Sequence, residues 1–305
     1  MLHRDRVFST QSRENNLFSH PADKLFNPFC TTRQIFLYLR AVKFNFYMPD
    51  KHEIFNRTER LIGSDAMLSL TQKRVIIFGI GGVGSWCAES LIRSGMQHLT
   101  IVDSDCVCAS NVNRQAMATT ATIGQVKVEA MKEKLLTISP EADITAIRSI
   151  YSSETREQFG LEAYDYVVDA IDSLEHKAEL ILHATSLPRD VKFFSSMGAA
   201  LKMDPTQIRV DEFWNVKGCP LARALRQRFK RAHRFPARKF RVVYSPEVLP
   251  NLGRALEEQP DAQPADTWTP LKAQVNGSLA HITAIFGFTL AGLILQDMTL
   301  RAHDA

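Results

Sequence analysis

The hexapeptide Gly79-Ile80-Gly81-Gly82-Val83-Gly84 constrains this chain more than any other stretch. It follows an apolar run, Val75 to Phe78, that reads as a buried strand, and it opens a helical stretch, Ser85 to Gly95. That context gives a GxGxxG match its meaning: the glycines let backbone amides approach a phosphate, and the helix N-terminus stabilises its charge. Alone, the motif does not separate NAD or FAD from ATP. Asp103, about 20 residues further on, suits a ribose in any of them.

The pattern downstream extends this opening into a layered fold. Leu99 to Asp103 reads as a second strand, Val126 to Ile138 as a helix and Asp143 to Ile147 as a third strand. Tyr164 to Asp172 reads as a fourth strand, Leu174 to Leu187 as a helix and Lys192 to Gly198 as a further strand. Alternation of this kind predicts an α/β, Rossmann-like, mostly parallel sheet with helices on both faces and ligands at the carboxyl ends of the strands. After Gly198 the alternation fades, and a smaller C-terminal α+β part is expected. The organisation predicted is a poorly ordered extension over 1–50, a nucleotide-binding core over 51–200, and a substrate-binding and dimerisation region over 201–305.

Composition supports a cytoplasmic setting. Five cysteines among 305 residues form no CxxC pair, and the N-terminus has no apolar run ending in a small-residue cleavage site. Leu279 to Leu295 is apolar enough to sit at the lower length limit for a bilayer span, so membrane association is one reading of it. Gly287, Ala291 and Gly292 instead favour close packing on another helix.

The residues beyond the second strand narrow the chemistry. Asp103-Ser104-Asp105 is followed by Ser110-Asn111-Val112-Asn113-Arg114-Gln115 and then by Lys127. Two cations are thereby brought towards the place where the glycine loop would hold phosphates, and adenylyl or phosphoryl chemistry depends on neutralising charge there. A dehydrogenase has no comparable need, so an NAD-binding or non-catalytic Rossmann protein is the weaker reading. Asp172 lies at the same edge and could hold Mg²⁺.

Four motifs in order, GIGGVG, DxDxVxxSNxNRQ, the lysine 13 residues after that arginine, and Val167 to Ser173, resemble the ThiF/MoeB/HesA superfamily of ubiquitin-activating-like adenylating enzymes. The resemblance implies ATP as cofactor with Mg²⁺. It assigns Gly79, Gly81, Gly82 and Gly84 to the phosphate loop, and Asp103 and Asp105 to the nucleotide. Asn111, Arg114 and Lys127 would contact the phosphates, and Asp172, beside Ser173, the metal. Arg57 to Gly63 resembles the family's N-terminal element, in which an arginine, here Arg60, reaches the neighbouring protomer's ATP; a homodimer follows.

The second half indicates a substrate. Nine arginines and lysines fall between Arg223 and Arg241, and no acidic residue occurs from Phe213 to Pro246. Such density suits a polyphosphate backbone, with Phe229, Phe235 and Phe240 available to stack on bases or to pack inward. Together with Ser195 to Val210, Val243 to Glu247 and Ile282 to Phe288, this segment resembles the tRNA threonylcarbamoyladenosine dehydratase branch of the superfamily. Part of that branch has a cysteine where Val242 stands, but an acyl-adenylate route needs no protein thiol. The implied activity is ATP-dependent cyclisation of threonylcarbamoyladenosine in tRNA, with a cysteine desulfurase or sulfur-acceptor system raised as a partner. Adenylation of the C-terminus of a sulfur-carrier or ubiquitin-like protein is the alternative on the same core.

Overall fold

The structure is a computed structural model and describes residues 50–252 and 276–304. The extension expected over 1–50 therefore lies outside the described residues except for Asp50. Two helices, α1 (Lys51–Ile62) and α2 (Ser64–Gln72), lead into the sheet. Gly63 joins them at a left-handed φ of 84°, a conformation open to glycine at little cost.

The alternating unit then repeats: β1 (Arg74–Phe78), α3 (Gly84–Arg93), β2 (His98–Val102), α4 (Lys127–Ile138), β3 (Asp143–Ile147), β4 (Tyr166–Asp169), α5 (Leu174–Ser186) and β5 (Lys192–Ser196). β6 (Arg209–Glu212), α6 (Pro220–Ala232), β7 (Arg241–Tyr244) and α7 (Ala280–Asp304) follow. Strand order across the sheet is β3-β2-β1-β4-β5-β7-β6. All neighbours run parallel except β6, which is antiparallel on β7.

Side-chain alternation divides the core in two, because successive residues of a strand face opposite sides. Val75 and Ile77 of β1 face α3, α4 and α7, whereas Ile76 and Phe78 face α5 and α6. The expected parallel sheet with helices on both faces is therefore present. Two sequence readings are corrected. The fourth strand ends at Asp169 rather than Asp172, because the Ile171 amide turns back to donate to Asp169 Oδ1 at 3.1 Å. Alternation does not simply fade after Gly198: β7 continues the parallel sheet beside β5, and the position near residue 200 falls between two strands of one sheet.

α7 packs most closely on α3. Ile282, Phe286, Leu290, Ala291 and Ile294 are buried in that contact layer. By length and composition α7 is also apolar enough to cross a membrane, with half of its apolar window buried here. A Cβ at Gly287 would lie 2.5 Å from the Val83 carbonyl oxygen and 2.8 Å from the Cys87 nitrogen, so the helices touch backbone to backbone. Among the described residues, nothing lies within 4 Å of a Cβ added at Gly292. Gly287→Ala is expected to cost about 1–3 kcal/mol by overpacking, whereas Gly292→Ala should leave stability unchanged or slightly raised. Thermal unfolding of the two variants checks the contrast.

Candidate nucleotide site

The strand order reverses between β1 and β4, so the chain leaves their carboxyl ends towards opposite halves of the sheet and opens a crevice there. The glycine loop fills the floor of this crevice. Gly79 has φ 87°, and a Cβ on it would lie 2.6 Å from the Ala170 carbonyl oxygen. One on Gly84 would lie 1.8 Å from the Gly79 oxygen, and one on Gly82 would lie 3.1 Å from Thr283 Cγ2 of α7. Gly81 differs: the nearest atom to its added Cβ is Gln115 Nε2 at 3.9 Å. Three of the glycines thus permit close packing, and Gly81 leaves an open cradle above the N-terminus of α3.

Asp103 closes the second side. Its Oδ2 accepts the Ile80 amide at 2.7 Å and its Oδ1 accepts the Asp105 amide at 2.9 Å, fixing the carboxylate against the loop. Burial is the largest influence on Asp103 and raises its carboxyl pKa above the ordinary range, against the opposing pull of Lys127 and the two amides. Lys127, at the first turn of α4, is buried too. Its Nζ lies 2.7 Å from Asp105 Oδ2 and 3.8 Å from Asp103 Oδ1. Burial is the largest single influence on this ammonium and acts to lower its pKa, but the charges of Asp103, Asp105 and Asp172 together outweigh it and hold the pKa above its usual value. Lys127 therefore stays a cation.

Arg114 is half-buried, and its Nη1 donates to the Ser110 carbonyl at 2.8 Å and to Asn113 Oδ1 at 2.9 Å. Burial lowers its pKa, with Asp172 partly offsetting that effect. Asp172 is exposed, and its charge acts on both Arg114 and Lys127, so the loop after β4 faces the cations carried behind β2. Ser173 stands at the N-cap of α5, immediately after it. Asn111 is buried, and its Oδ1 accepts the Cys108 amide at 3.1 Å, which shapes the turn leading to Arg114.

Six contributors were not singled out from sequence. Gln115 is buried against Gly81, and among the described residues its Oε1 has no hydrogen-bond partner, which places a polar group at the cradle. Trp86 Nε1 donates to the Arg114 carbonyl at 2.9 Å, and Ser85 Oγ accepts the Ala116 amide at 3.0 Å, so α3 itself holds the arginine turn in place. Beneath the Asp172 loop lies a buried network: Lys177 Nζ sits 2.8 Å from Asp169 Oδ2 and donates to the Ile171 carbonyl at 3.0 Å, while Ser195 Oγ donates to Asp169 Oδ2 at 2.6 Å. Asp169 and Lys177 are fully buried. A reading by motif stops at the exposed Asp172, because nothing in the spacing says which aspartate of VVDAIDS turns inward.

Arg60 lies in the last turn of α1, where its Nε donates to Asn56 Oδ1 at 2.7 Å. Among the described residues no hydrogen bond or ion pair ties it to the glycine loop of the same chain. The basic segment is partly turned inward. Ala222, Leu225 and Phe229 bury one stripe of α6, Phe240 is also buried, and the Arg238 guanidinium donates to the carbonyls of Ala184, Leu187, Pro188 and Val191 at the end of α5. Arg223, Lys230, Arg231, Arg234, Lys239 and Arg241 are exposed.

A sheet that reverses at β1 and β4, with a glycine cradle at the reversal and two cations reaching over from β2, defines an α/β protein that holds a nucleotide by its phosphates. The chain belongs to the ThiF family, whose sequence profile matches residues 55–301. It is 40% identical over 177 residues to the tRNA threonylcarbamoyladenosine dehydratase of Bacillus subtilis, covering 58% of this chain and 69% of that one. It is 32% identical over 251 residues to the protein of the same name from Haemophilus influenzae, covering 80% and 92%. The fold is similar to that of E. coli tRNA N6-threonylcarbamoyladenosine dehydratase solved in complex with ATP, with a TM-score of 0.70 and 31% identity over 83% of this chain and 96% of that chain.

Lys177→Met leaves Asp169 charged and buried without its counter-ion, an arrangement that typically costs about 3–5 kcal/mol. Urea unfolding is expected to register that loss, and adding Asp169→Asn should recover part of it. Equal stability of wild type and Lys177→Met would show that the pair does not hold the loop.

Proposed function

We propose that this chain uses ATP to adenylate the carboxylate of a threonylcarbamoyl group on a tRNA adenosine and then lets that group cyclise. The observation that carries the reading is the open cradle at Gly81, faced by Arg114, Lys127 and Gln115 on one side and by Asp172 on the other. The donor set fits a triphosphate: backbone amides at a helix N-terminus, two cations, and a carboxylate beside them. Support comes also from the relatives, which carry the dehydratase name, and from the E. coli enzyme that was solved with ATP.

In this reading Asp103 takes the ribose while Gly81 and Gly82 meet the phosphates. Arg114 and Lys127 neutralise the charge that develops as the substrate carboxylate attacks the α-phosphorus and pyrophosphate leaves. Lys127 is held beforehand by Asp105 and Asp103, so its ammonium needs only to exchange carboxylate partners for phosphate oxygens. The carbamoyl group then attacks the acyl carbon, closes a ring and expels AMP, with net loss of one water from the nucleoside. Mg²⁺, when bound, would supply charge neutralisation at the phosphates. Such an ion takes one or two carboxylates and the phosphates themselves, and Asp172 is the carboxylate offered. Among the described residues no cluster of three or more His, Cys, Asp or Glu is assembled for a metal.

The substrate RNA lies along the basic segment between Arg223 and Arg241, with Arg238 excluded because its donors are already used within the fold. A second copy of the chain supplies Arg60. That reading draws support from exposed apolar side chains on the layer of α1, α2 and α7, among them Leu61, Leu68 and Phe288, which suit contact with another protomer.

Incubation of tRNA carrying open-chain threonylcarbamoyladenosine with enzyme and ATP is expected to remove one water from that nucleoside, read by mass spectrometry, with AMP released only when tRNA is present. Gly81→Ala should fold normally yet bind ATP about tenfold or more weakly; retained affinity would count against the cradle. Mixing Arg60→Ala with Asp172→Ala subunits should restore about a quarter of wild-type activity, the statistical share of complete sites in exchanged dimers. No recovery in verified mixed dimers would remove the shared-site reading.

A further inference from the structure

We infer that Trp214 and Phe235 form a stacking platform for an unpaired base of the RNA substrate, at the sheet edge opposite the phosphate cradle. The inference rests on the reading above that the substrate is an RNA. Trp214 and Phe235 are exposed, at 37% and 52%, although the aromatic residues around them are buried: Phe213, Phe229 and Phe240 pack together beneath. The two exposed rings come from separate segments and meet at a centroid distance of 6.4 Å, tilted by 42°.

Both turns are anchored. Trp214 projects from a short turn whose first residue, Phe213, stacks on Phe240 at 5.0 Å, while Glu212 Oε2 accepts the Trp214 amide at 3.2 Å. Arg226 holds the same turn from α6, donating to the Phe213 carbonyl at 3.2 Å with its guanidinium over the Phe213 ring. Phe235 follows the residue pair that ends α6: His233 adopts φ 50°, and the Arg234 amide donates to the Phe229 carbonyl at 3.2 Å. Arg238 then pins the far end of that loop to α5. Two aromatic faces are therefore held at the surface by a buried scaffold, which reduces the ordering cost of a ligand that stacks on them.

The surroundings select the ligand. Arg223 and Lys230 share one face of α6, with Arg231, Lys239 and Arg241 exposed nearby in sequence. Flat apolar faces in a segment with these exposed cations fit an unpaired base on a phosphate backbone, and the nearest carboxylates in sequence, Asp211 and Glu212, are already engaged by the Asn215 side chain and the Trp214 amide. Position adds a constraint on size. Glu212 pairs with Arg241, the first residue of β7, so Trp214 sits at the amino ends of the parallel strands, whereas the cradle sits at their carboxyl ends. The 13 residues of α6 run between the two edges, a span of about 20 Å at helical rise. A substrate that engages both is therefore much longer than the reacting nucleotide, and a short oligonucleotide carrying the same modified base should bind only at the cradle.

Full-length wild type and the double variant Trp214→Ala with Phe235→Ala are compared for binding to a fluorescent RNA stem-loop and, by calorimetry, to Mg·ATP. The expected result is about tenfold or more loss of RNA affinity, with an unchanged salt slope and unchanged ATP affinity. Lys230→Ala should instead reduce the salt slope, and Trp214→Tyr should restore most of the affinity. Ultraviolet crosslinking of the wild-type complex, which needs no variant to fold, should attach RNA at Trp214 or Phe235. Equal RNA affinity of wild type and double variant, crosslinks that avoid both residues, or a change in oligomeric mass on substitution would overturn the platform. Absence of RNA binding by wild type would instead overturn the functional reading on which it rests.

Discussion

The arrangement at β1 depends on a backbone contact that tolerates no side chain. With only 1.8 Å between an added Cβ on Gly84 and the Gly79 oxygen, and 2.6 Å between one on Gly79 and the Ala170 oxygen, the loop, the start of α3 and the end of β4 are drawn into mutual contact. Several consequences follow from that one closeness. The N-terminus of α3 points at the cradle, the chain after β4 is brought beside it, and Asp172 comes within electrostatic reach of Arg114 and Lys127. Gly287 extends the same principle outward, because α7 can lie on the Val83 and Cys87 backbone only where it too lacks a side chain.

Charge is concentrated here at a cost that packing alone would not impose. Burial acts against the ionised forms of Asp103, Arg114 and Lys127 at once, and at each an opposite charge works the other way. The buried Lys177 and Asp169 belong to the same economy but face inward, where Ser195 and the Ile171 carbonyl complete their hydrogen bonds. One set of charges is closed within the fold and fixes a loop. The other is open on the crevice side and can exchange partners with an incoming anion.

That division explains what could be read in advance. The glycine loop, the first five strands and their helices were legible because each combines a short apolar run with local turn chemistry, and neither requires distant partners. Arg114, Lys127 and Asp172 come within electrostatic reach of one another because the segments after β2 and β4 leave the same carboxyl edge on either side of β1. β6 and β7 were not legible: each is four residues long, β6 carries charges at an edge position, and a detour of 28 residues that includes α6 separates them. The inward turn of Asp169 and Arg238 was equally hidden. Both are charged residues in segments rich in charge, and only the burial of β4 and the exposed carbonyls at the end of α5 decide where their side chains go.

The basic segment shows how composition and geometry separate. Nine cations in sequence read as one polyelectrolyte, yet in the fold they have different tasks: Arg238 caps a helix, Arg226 braces a turn, Arg228 and Arg234 sit near Glu175 and Glu179. What is left over forms a narrower stripe, beginning near the carboxyl edge with Arg223 and ending near the amino edge with Lys230, Arg231 and the two exposed rings. Because Arg238 spends four hydrogen bonds on backbone carbonyls, it sets the position of the loop that carries its neighbours instead of adding to the attraction. If the proposed RNA binds along α6, a few cations and two aromatic faces at fixed spacing would govern it rather than net charge, which for the whole chain is only +4.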